Sequence, residues 1–271
     1  MFKTNQLKAR LLAGEVAFGC WVAGGSVTAA EVLGHIGFDF LLLDHEHGVG
    51  DAATIVDELR AVAGTQTPAI VRVPWNDHVY LKRILDAGVQ SVMIPSVENV
   101  EEARAAIAAC YYPPHGRRGY AAGVVRASTY GLVPDYIHQA NENLLTICQV
   151  ESASAVEQID EICAIEGLDC VFIGVNDLAG SIGKLEQTDH PAVRALVKKA
   201  EDAILRSGKI MGTVPNAGAS VADLVERGYR VIAGPHDIAL LRDAARGALE
   251  AYRGIKDVAE RQADDQKLRA Y

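Results

Sequence analysis

The stretch that decides the fold is LLLDHEHG, residues 41–48, an apolar run that ends in acidic and imidazole side chains. Two further acids, Glu151 and Asp177, follow apolar runs later in the chain. In parallel α/β folds, ligands bind at the carboxyl ends of the strands. These positions predict a parallel α/β fold whose site combines carboxylates with a histidine.

Eight short apolar runs alternate with amphipathic segments along the chain. Runs that are continuous rather than alternating are typical of strands buried on both faces. This order predicts a (β/α)8 TIM barrel, with a doubly wound open sheet as the rival that local patterns cannot separate from it. The predicted strands are Val16–Val22, Phe38–Asp44, Ala69–Val73, Ser91–Ile94, Leu144–Val150, Cys170–Ile173, Lys209–Thr213 and Arg230–Ala233.

No linker and no shift in composition divides the chain, so residues 1–271 are predicted to form a single barrel domain. A charged helical arm is predicted outside the barrel at about residues 255–271. The longest connection, residues 111–143, contains PPHGRRGY at 113–120. A connection of this length is usually functional, and we expect its segment 113–128 to help close the site.

Composition excludes several classes of partner. The 271 residues carry a formal charge of -9, which argues against binding to a nucleic-acid backbone. There is no run of about 18 apolar residues and no apolar signal core, so we expect a cytoplasmic protein without a membrane partner. The five cysteines form no CxxC pair and are predicted to be free, buried thiols.

The two acids are candidate metal ligands. Glu151 and Asp177 follow neighbouring predicted strands, so their carboxylates can converge at the barrel mouth. Two protein oxygens leave most positions of an octahedral ion to water and substrate, which suits Mg²⁺, Mn²⁺ or Co²⁺. The alternative is that each acid merely caps the helix that follows it.

Other polar residues suggest proton transfer and charge stabilisation. His45 and His47 follow the second strand, and we expect only one of them to face the mouth; a histidine metal site is the competing interpretation. Arg72 lies within an apolar strand, where it either forms an ion pair or stabilises an enolate. Asp86 could orient a histidine, although the residues alone favour a surface acid.

Seven ordered blocks, spread over nearly the whole chain, resemble the HpcH/HpaI family of class II pyruvate aldolases. They are DxEH at 44–47, VRVP at 71–74, LDAG at 85–88, YPPxGxRG at 112–119, RAS at 126–128, QVE at 149–151 and FIGxxDL at 172–178. The resemblance implies a phosphoenolpyruvate/pyruvate-type barrel. It also implies divalent-metal-dependent cleavage of a 4-hydroxy-2-oxo acid to pyruvate, or a related 2-oxo acid, and an aldehyde.

The resemblance also implies a role for each matching residue. His47 would be the base, Arg72 would stabilise the enolate and Asp86 would tune the base. Glu151 and Asp177 would hold the metal. The groups implied to contact substrate are Gln149, Asn176, Asp177, Arg72 and backbone N–H groups near Gly174.

The chain departs from the family pattern at His45 and at Val175-Asn176, which bears on the aldehyde rather than on the reaction type. Relatives assemble as hexamers in which neighbouring subunits cover each other's site, so a homo-oligomer, most simply a hexamer, is expected. Two alternatives stay open: a citryl- or malyl-thioester lyase, and a metal-free relative that binds oxo acids. The first would need a basic groove, for which Arg117, Arg118 and Arg126 are candidates.

Overall fold

The computed structural model describes residues 4–216 and 218–269. Eight parallel strands close into a barrel in chain order, with β1 beside β8. The (β/α)8 prediction is confirmed, and the open doubly wound sheet is excluded because the barrel has no free edge. The strands are β1 Ala17–Val22, β2 Phe40–Asp44, β3 Ala69–Arg72, β4 Ser91–Ile94, β5 Leu145–Val150, β6 Cys170–Ile173, β7 Ile210–Thr213 and β8 Val231–His236.

Helices connect the strands and surround the barrel. They are α1 Gln6–Leu12, α2 Val27–Ile36, α3 Ala52–Val62, α4 His78–Asp86, α5 Val100–Cys110, α6 Tyr136–Ala140, α7 Ala153–Glu157, α8 Ile159–Cys163, α9 Val175–Ser181, α10 Pro191–Ser207, α11 Val221–Glu226 and α12 Asp237–Arg269. Among the described residues, no helix is both long and apolar enough to cross a membrane.

Strand β2 shows why its apolar run is continuous. Phe40 and Leu42 point into the barrel, whereas Leu41 and Leu43 pack with the apolar residues outside it. Alternate residues of a strand point to opposite faces, and both faces of this strand are buried. All five cysteines are free and buried, as the sequence predicts.

The long connection 111–143 runs from α5 to β5, so it lies at the amino end of the barrel, away from the mouth. Tyr112, Ala122, Tyr136 and Ala140 give it a small apolar cluster of its own. The segment 113–128 therefore cannot close the mouth of its own subunit.

The predicted arm is the outer part of α12, a helix that runs unbroken from Asp237 to Arg269. The large apolar residues Leu241, Tyr252 and Ile255 of this helix are exposed. The last two residues of the predicted arm lie outside the described part of the chain.

Candidate active site

Arg72 is the last residue of β3 and lies at the barrel mouth. Asp44 accepts two hydrogen bonds from it, from Nε at 2.9 Å and from Nη2 at 2.8 Å. The remaining nitrogen, Nη1, lies 2.7 Å from a carboxylate oxygen of Glu46 and 3.4 Å from Oε1 of Gln149. The guanidinium thus links β3 to β2 and β5, so it is both ion-paired and directed at the site.

Asp44 and Glu46 lie beside Arg72 at the mouth, although sequence reasoning gave neither residue a role of its own. Burial would raise the pKa of Asp44, but the hydrogen bonds and charge of Arg72 hold it below its usual value. Burial raises the pKa of Glu46; Arg72 opposes the rise and Glu151 adds to it. The sequence did carry a signal for Asp44. It ends an apolar run, and the next predicted strand contains an arginine, Arg72.

Glu151 lies just past β5 and is nearly buried. Its Oε1 accepts hydrogen bonds from the N–H of Ser96 at 2.8 Å and from the Ser96 hydroxyl at 3.2 Å. Its Oε2 accepts a hydrogen bond from the side-chain amide of Gln149. Burial raises the pKa of Glu151, the Ser96 N–H opposes this, and the charge of Asp177 raises it further.

Asp177 joins Glu151 in the lining of one cavity of about 590 Å³ at the barrel mouth. The other lining residues are Glu46, His47, Ser96, Glu98, Ser152, Ala153, Ser154 and Ser181. The serines and Glu98 were not predicted from the sequence. The arrangement brings two predicted metal ligands and the predicted base into one space.

Neither acid caps a helix. Ser152, rather than Glu151, caps α7 by accepting a hydrogen bond from the N–H of Ala155 at 3.2 Å. Asp177 lies inside α9, whose first turn has no side-chain cap. The capping alternative is therefore excluded for both residues: Glu151 is held by Ser96 and Gln149 instead of by a helix end.

Gly174 is placed where a side chain would collide with the site. A Cβ built at this position would lie 2.5 Å from Oε2 of Glu151. The N–H of Gly174 donates to Val150 O at 3.1 Å, so the backbone groups left for a substrate carboxylate are those of Val175 and Asn176. The Asn176 side chain is exposed and is not among the residues that line the cavity.

The two histidines diverge. His45 is buried, and its Nε2 lies 2.8 Å from a carboxylate oxygen of Glu58 in α3. His47 is 71% exposed at its side chain, lines the cavity and lies 3.9 Å from Glu46. Residues two apart in a strand share a face; these do not, because β2 ends at Asp44 and the next residues form bends.

Asp86 is not brought to His47. It ends α4 at the amino end of the barrel, where Arg118 donates a hydrogen bond to it at 2.8 Å. Nearby, Arg126 donates to Ala87 O at 2.8 Å. Within one subunit, Asp86 and the base therefore lie at opposite ends of the barrel.

The described residues contain no group of three or more His, Cys, Asp or Glu side chains placed to hold one ion. The histidine metal site therefore gains no support. An ion at the mouth would depend on two carboxylates, Glu151 and Asp177.

A family model described as HpcH/HpaI aldolase/citrate lyase matches residues 17–244. The chain belongs to this family. The matched range includes all eight barrel strands and the start of α12, together with every site residue described above.

Relatives within the HpcH/HpaI family are similar over nearly their full length. The chain is 38% identical over 249 residues to a 5-keto-4-deoxy-D-glucarate aldolase of Enterobacter sp. strain 638, covering 92% of this chain and 97% of that protein. It is 39% identical over 250 residues to a hydroxypyruvate/pyruvate aldolase of Chromohalobacter salexigens, covering 92% and 98%.

A solved structure of an HpcH/HpaI aldolase/citrate lyase family protein from Burkholderia cenocepacia J2315 superposes with a TM-score of 0.87 at 38% identity. It covers 92% of this chain and 100% of that one. The resemblance read from the seven sequence blocks is thereby confirmed. With aldolases among its relatives, this HpcH/HpaI family member is a lyase of the aldolase type.

Proposed function

We propose that this protein catalyses the divalent-metal-dependent, reversible aldol cleavage of a 4-hydroxy-2-oxo acid to an aldehyde and pyruvate or a related 2-oxo acid. The observation that carries the proposal is the meeting of Glu151, Asp177 and His47 in one cavity beside Glu46, the ion-pair partner of Arg72.

Glu151 and Asp177 would hold Mg²⁺, Mn²⁺ or Co²⁺, ions that prefer oxygen ligands. The donor set fits such an ion, because Glu151 and Asp177 line one cavity. Burial disfavours the ionised form of Glu151, and a bound cation would offset that cost. When bound, the ion supplies Lewis acidity that polarises the 2-oxo group.

The chain's own residues supply the remaining chemistry. His47 accepts the proton of the substrate's 4-hydroxyl as the bond between C3 and C4 breaks and the aldehyde forms. The electron pair of that bond passes into the enolate of the 2-oxo acid, and Arg72 offsets its negative charge. Protonation at C3 completes the 2-oxo acid. Gln149 lies between Arg72 and Glu151 and orients both.

Binding of the substrate carboxylate would use the first N–H groups of α9, at Val175 and Asn176. No side chain of the described residues caps this helix, and Gly174 leaves room for a close approach to Glu151. The exposed Asn176 side chain would act on the aldehyde portion rather than on the oxo acid.

The thioester-lyase alternative depended on a basic groove at the mouth, and the arginines that would form it lie elsewhere. Arg118 and Arg126 are bound to Asp86 and to Ala87 O at the amino end of the barrel. A basic groove at the mouth would need these arginines at the other end. The intact pair of Glu151 and Asp177 also argues against a metal-free oxo-acid binder.

We propose further that the protein works as a homo-oligomer, most simply a hexamer. Two regions expose large apolar side chains, as interfaces do: α12, and the connection 111–143 with Tyr120, Val124 and Leu132. A role of Asp86 in tuning the base, and of segment 113–128 in closing the site, would then act on a neighbouring subunit.

The deciding experiment is pyruvate release from a panel of 4-hydroxy-2-oxo acids, before and after treatment with chelator. We expect turnover of at least one substrate, its loss in chelator and its return on adding Mg²⁺, Mn²⁺ or Co²⁺. Full turnover in chelator would contradict the metal assignment, and no cleavage of any member with metal present would contradict the reaction.

A further inference from the structure

His236 ends β8 at the barrel mouth, and its ring stacks on Trp21 of β1. The two ring centroids are 5.4 Å apart and the ring planes differ by 10°. The residues face each other in register across neighbouring strands. His236 is exposed, whereas Trp21 is only 3% exposed. The imidazole is thus the solvent-facing member of the pair.

The same indole packs against Arg72, whose guanidinium carbon lies 4.6 Å from the ring centroid. The ring of Phe172 meets the indole edge-on, at 6.5 Å and 85°. The indole Nε1 is buried and has no hydrogen-bond partner among the described residues. The orientation of Trp21 therefore depends on its ring contacts and not on a polar anchor.

In the barrel order β8 is next to β1 on one side and β3 is two strands away on the other, so His236 and Arg72 reach Trp21 from different strands. Asp44, Glu46 and Gln149 contact the nitrogens of Arg72, whereas Trp21 lies against the guanidinium carbon. His236 in turn stacks on Trp21.

A neutral imidazole suits this place, because a second cation would compete with Arg72 for the same indole. Partial desolvation lowers the pKa of His236 and the charge of Arg72 adds to this, while Asp44 and Asp237 oppose it. The stack therefore combines one cation with one neutral ring.

We propose that His236 is a positioning residue of the aldolase: its imidazole holds Trp21 against the guanidinium of Arg72 and so keeps Arg72 directed at the 2-oxo acid. This rests on the proposed role of Arg72. None of the seven family-like blocks contains His236, and no sequence signal had marked it.

The stack can be tested without any activity. The chain has two tryptophans, so Trp75→Phe leaves Trp21 as the sole indole. A protonated imidazole quenches an indole that it touches. We expect Trp21 fluorescence to fall as the pH is lowered through the imidazole range, and this step to vanish in Trp75→Phe/His236→Phe. It should persist in the matched control Trp75→Phe/His47→Gln.

The kinetic test separates positioning from direct contact. We expect His236→Ala to lower kcat for aldol cleavage by about 2- to 10-fold, the range that one aromatic stack supplies. His236→Phe should restore most of the loss. In an Arg72→Lys background, His236→Ala should cause almost no further loss of kcat, because His236 acts through Arg72.

A fluorescence step that survives His236→Phe, or no step in Trp75→Phe, overturns the stack. Unchanged kinetics in His236→Ala, or no rescue by His236→Phe, overturns the positioning role. If the unaltered enzyme cleaves no 4-hydroxy-2-oxo acid, the proposed function fails, while the fluorescence result still decides the stack.

Discussion

Asp44 holds the guanidinium of Arg72 with both carboxylate oxygens, at 2.9 and 2.8 Å. The two residues are partners in register across β2 and β3. Arg72 keeps the pKa of Asp44 low against the opposing effect of burial, so the pair stays ionised. A planar, two-point contact of this kind directs the guanidinium as well as neutralising it.

Arg72→Lys should therefore lower aldol turnover by about 10²–10³, as removal of one preorganised donor to a developing oxyanion does. A lysine keeps the charge but lacks the fork of donors. Steady-state pyruvate release measures the loss. The matched control is Arg60→Lys, since Arg60 forms an exposed pair with Asp57 in α3 and should leave turnover unchanged.

Binding of a divalent metal should be pH-dependent. Because the pKa of Glu151 is raised in the folded protein, its ionisation opposes folding as the pH rises above the ordinary glutamate range. A cation offsets that cost and requires the ionised form. The increase in Tm on adding Mn²⁺ should be larger at pH 7.5 than at pH 5.

Glu151→Gln and Asp177→Asn should each remove this Mn²⁺-dependent increase in Tm. Glu98→Gln is the control, because Glu98 lines the same cavity without being an expected ligand. An undiminished increase in Glu151→Gln would show that the ion binds elsewhere.

Replacing His47 should lower activity, whereas replacing His45 should lower stability. His47→Ala should lose about 10²–10⁴ in turnover, the usual contribution of a general base, with an unchanged free energy of unfolding. His45→Ala leaves Glu58 buried without its hydrogen-bond partner and should cost about 1–3 kcal/mol of unfolding free energy. Denaturant melts and pyruvate release, measured on both variants, separate the roles.

The double variant His45→Leu/Glu58→Leu should recover much of that stability, because it leaves no buried polar group without its partner. If His45→Ala and His47→Ala instead lost turnover equally, with unfolding free energy unchanged, a histidine metal site would return to consideration.

Gly174→Ala should weaken metal binding. Its Cβ would lie 2.5 Å from Oε2 of Glu151, so the carboxylate must move. Gly180→Ala, in the same helix, places its Cβ 3.4 Å from a methyl group of Leu185 and should be tolerated. Titration with Mn²⁺ compares the affinities of the two variants. Equal affinities would show that the Glu151 carboxylate can move without weakening metal binding.

Mixing two inactive variants tests the shared site. If Asp86 serves His47 of a neighbouring subunit, His47→Ala and Asp86→Asn should each be inactive. When they are refolded together, some sites should regain both native residues and part of the turnover. Light scattering of the 29.0 kDa chain should show an oligomer. A fully active monomer would contradict the assembly.

The sequence by itself determined the barrel and the rim on which the site lies. Burial on both faces makes a parallel strand continuously apolar, so eight such runs could be read directly. The acids at the ends of β5 and β6 followed from the same reading, because parallel strands all end at one rim. The seven blocks also sufficed to indicate the family.

Only the tertiary structure decided which side chains meet. It paired His45 with Glu58 and left His47 in the cavity. In a strand these two side chains would share a face, but the chain bends after Asp44 and they do not. It set Asp86 at the far end of the barrel and stacked His236 on Trp21. These contacts join residues far apart in the chain, and strand register and loop direction, which produce them, leave no local pattern in the sequence.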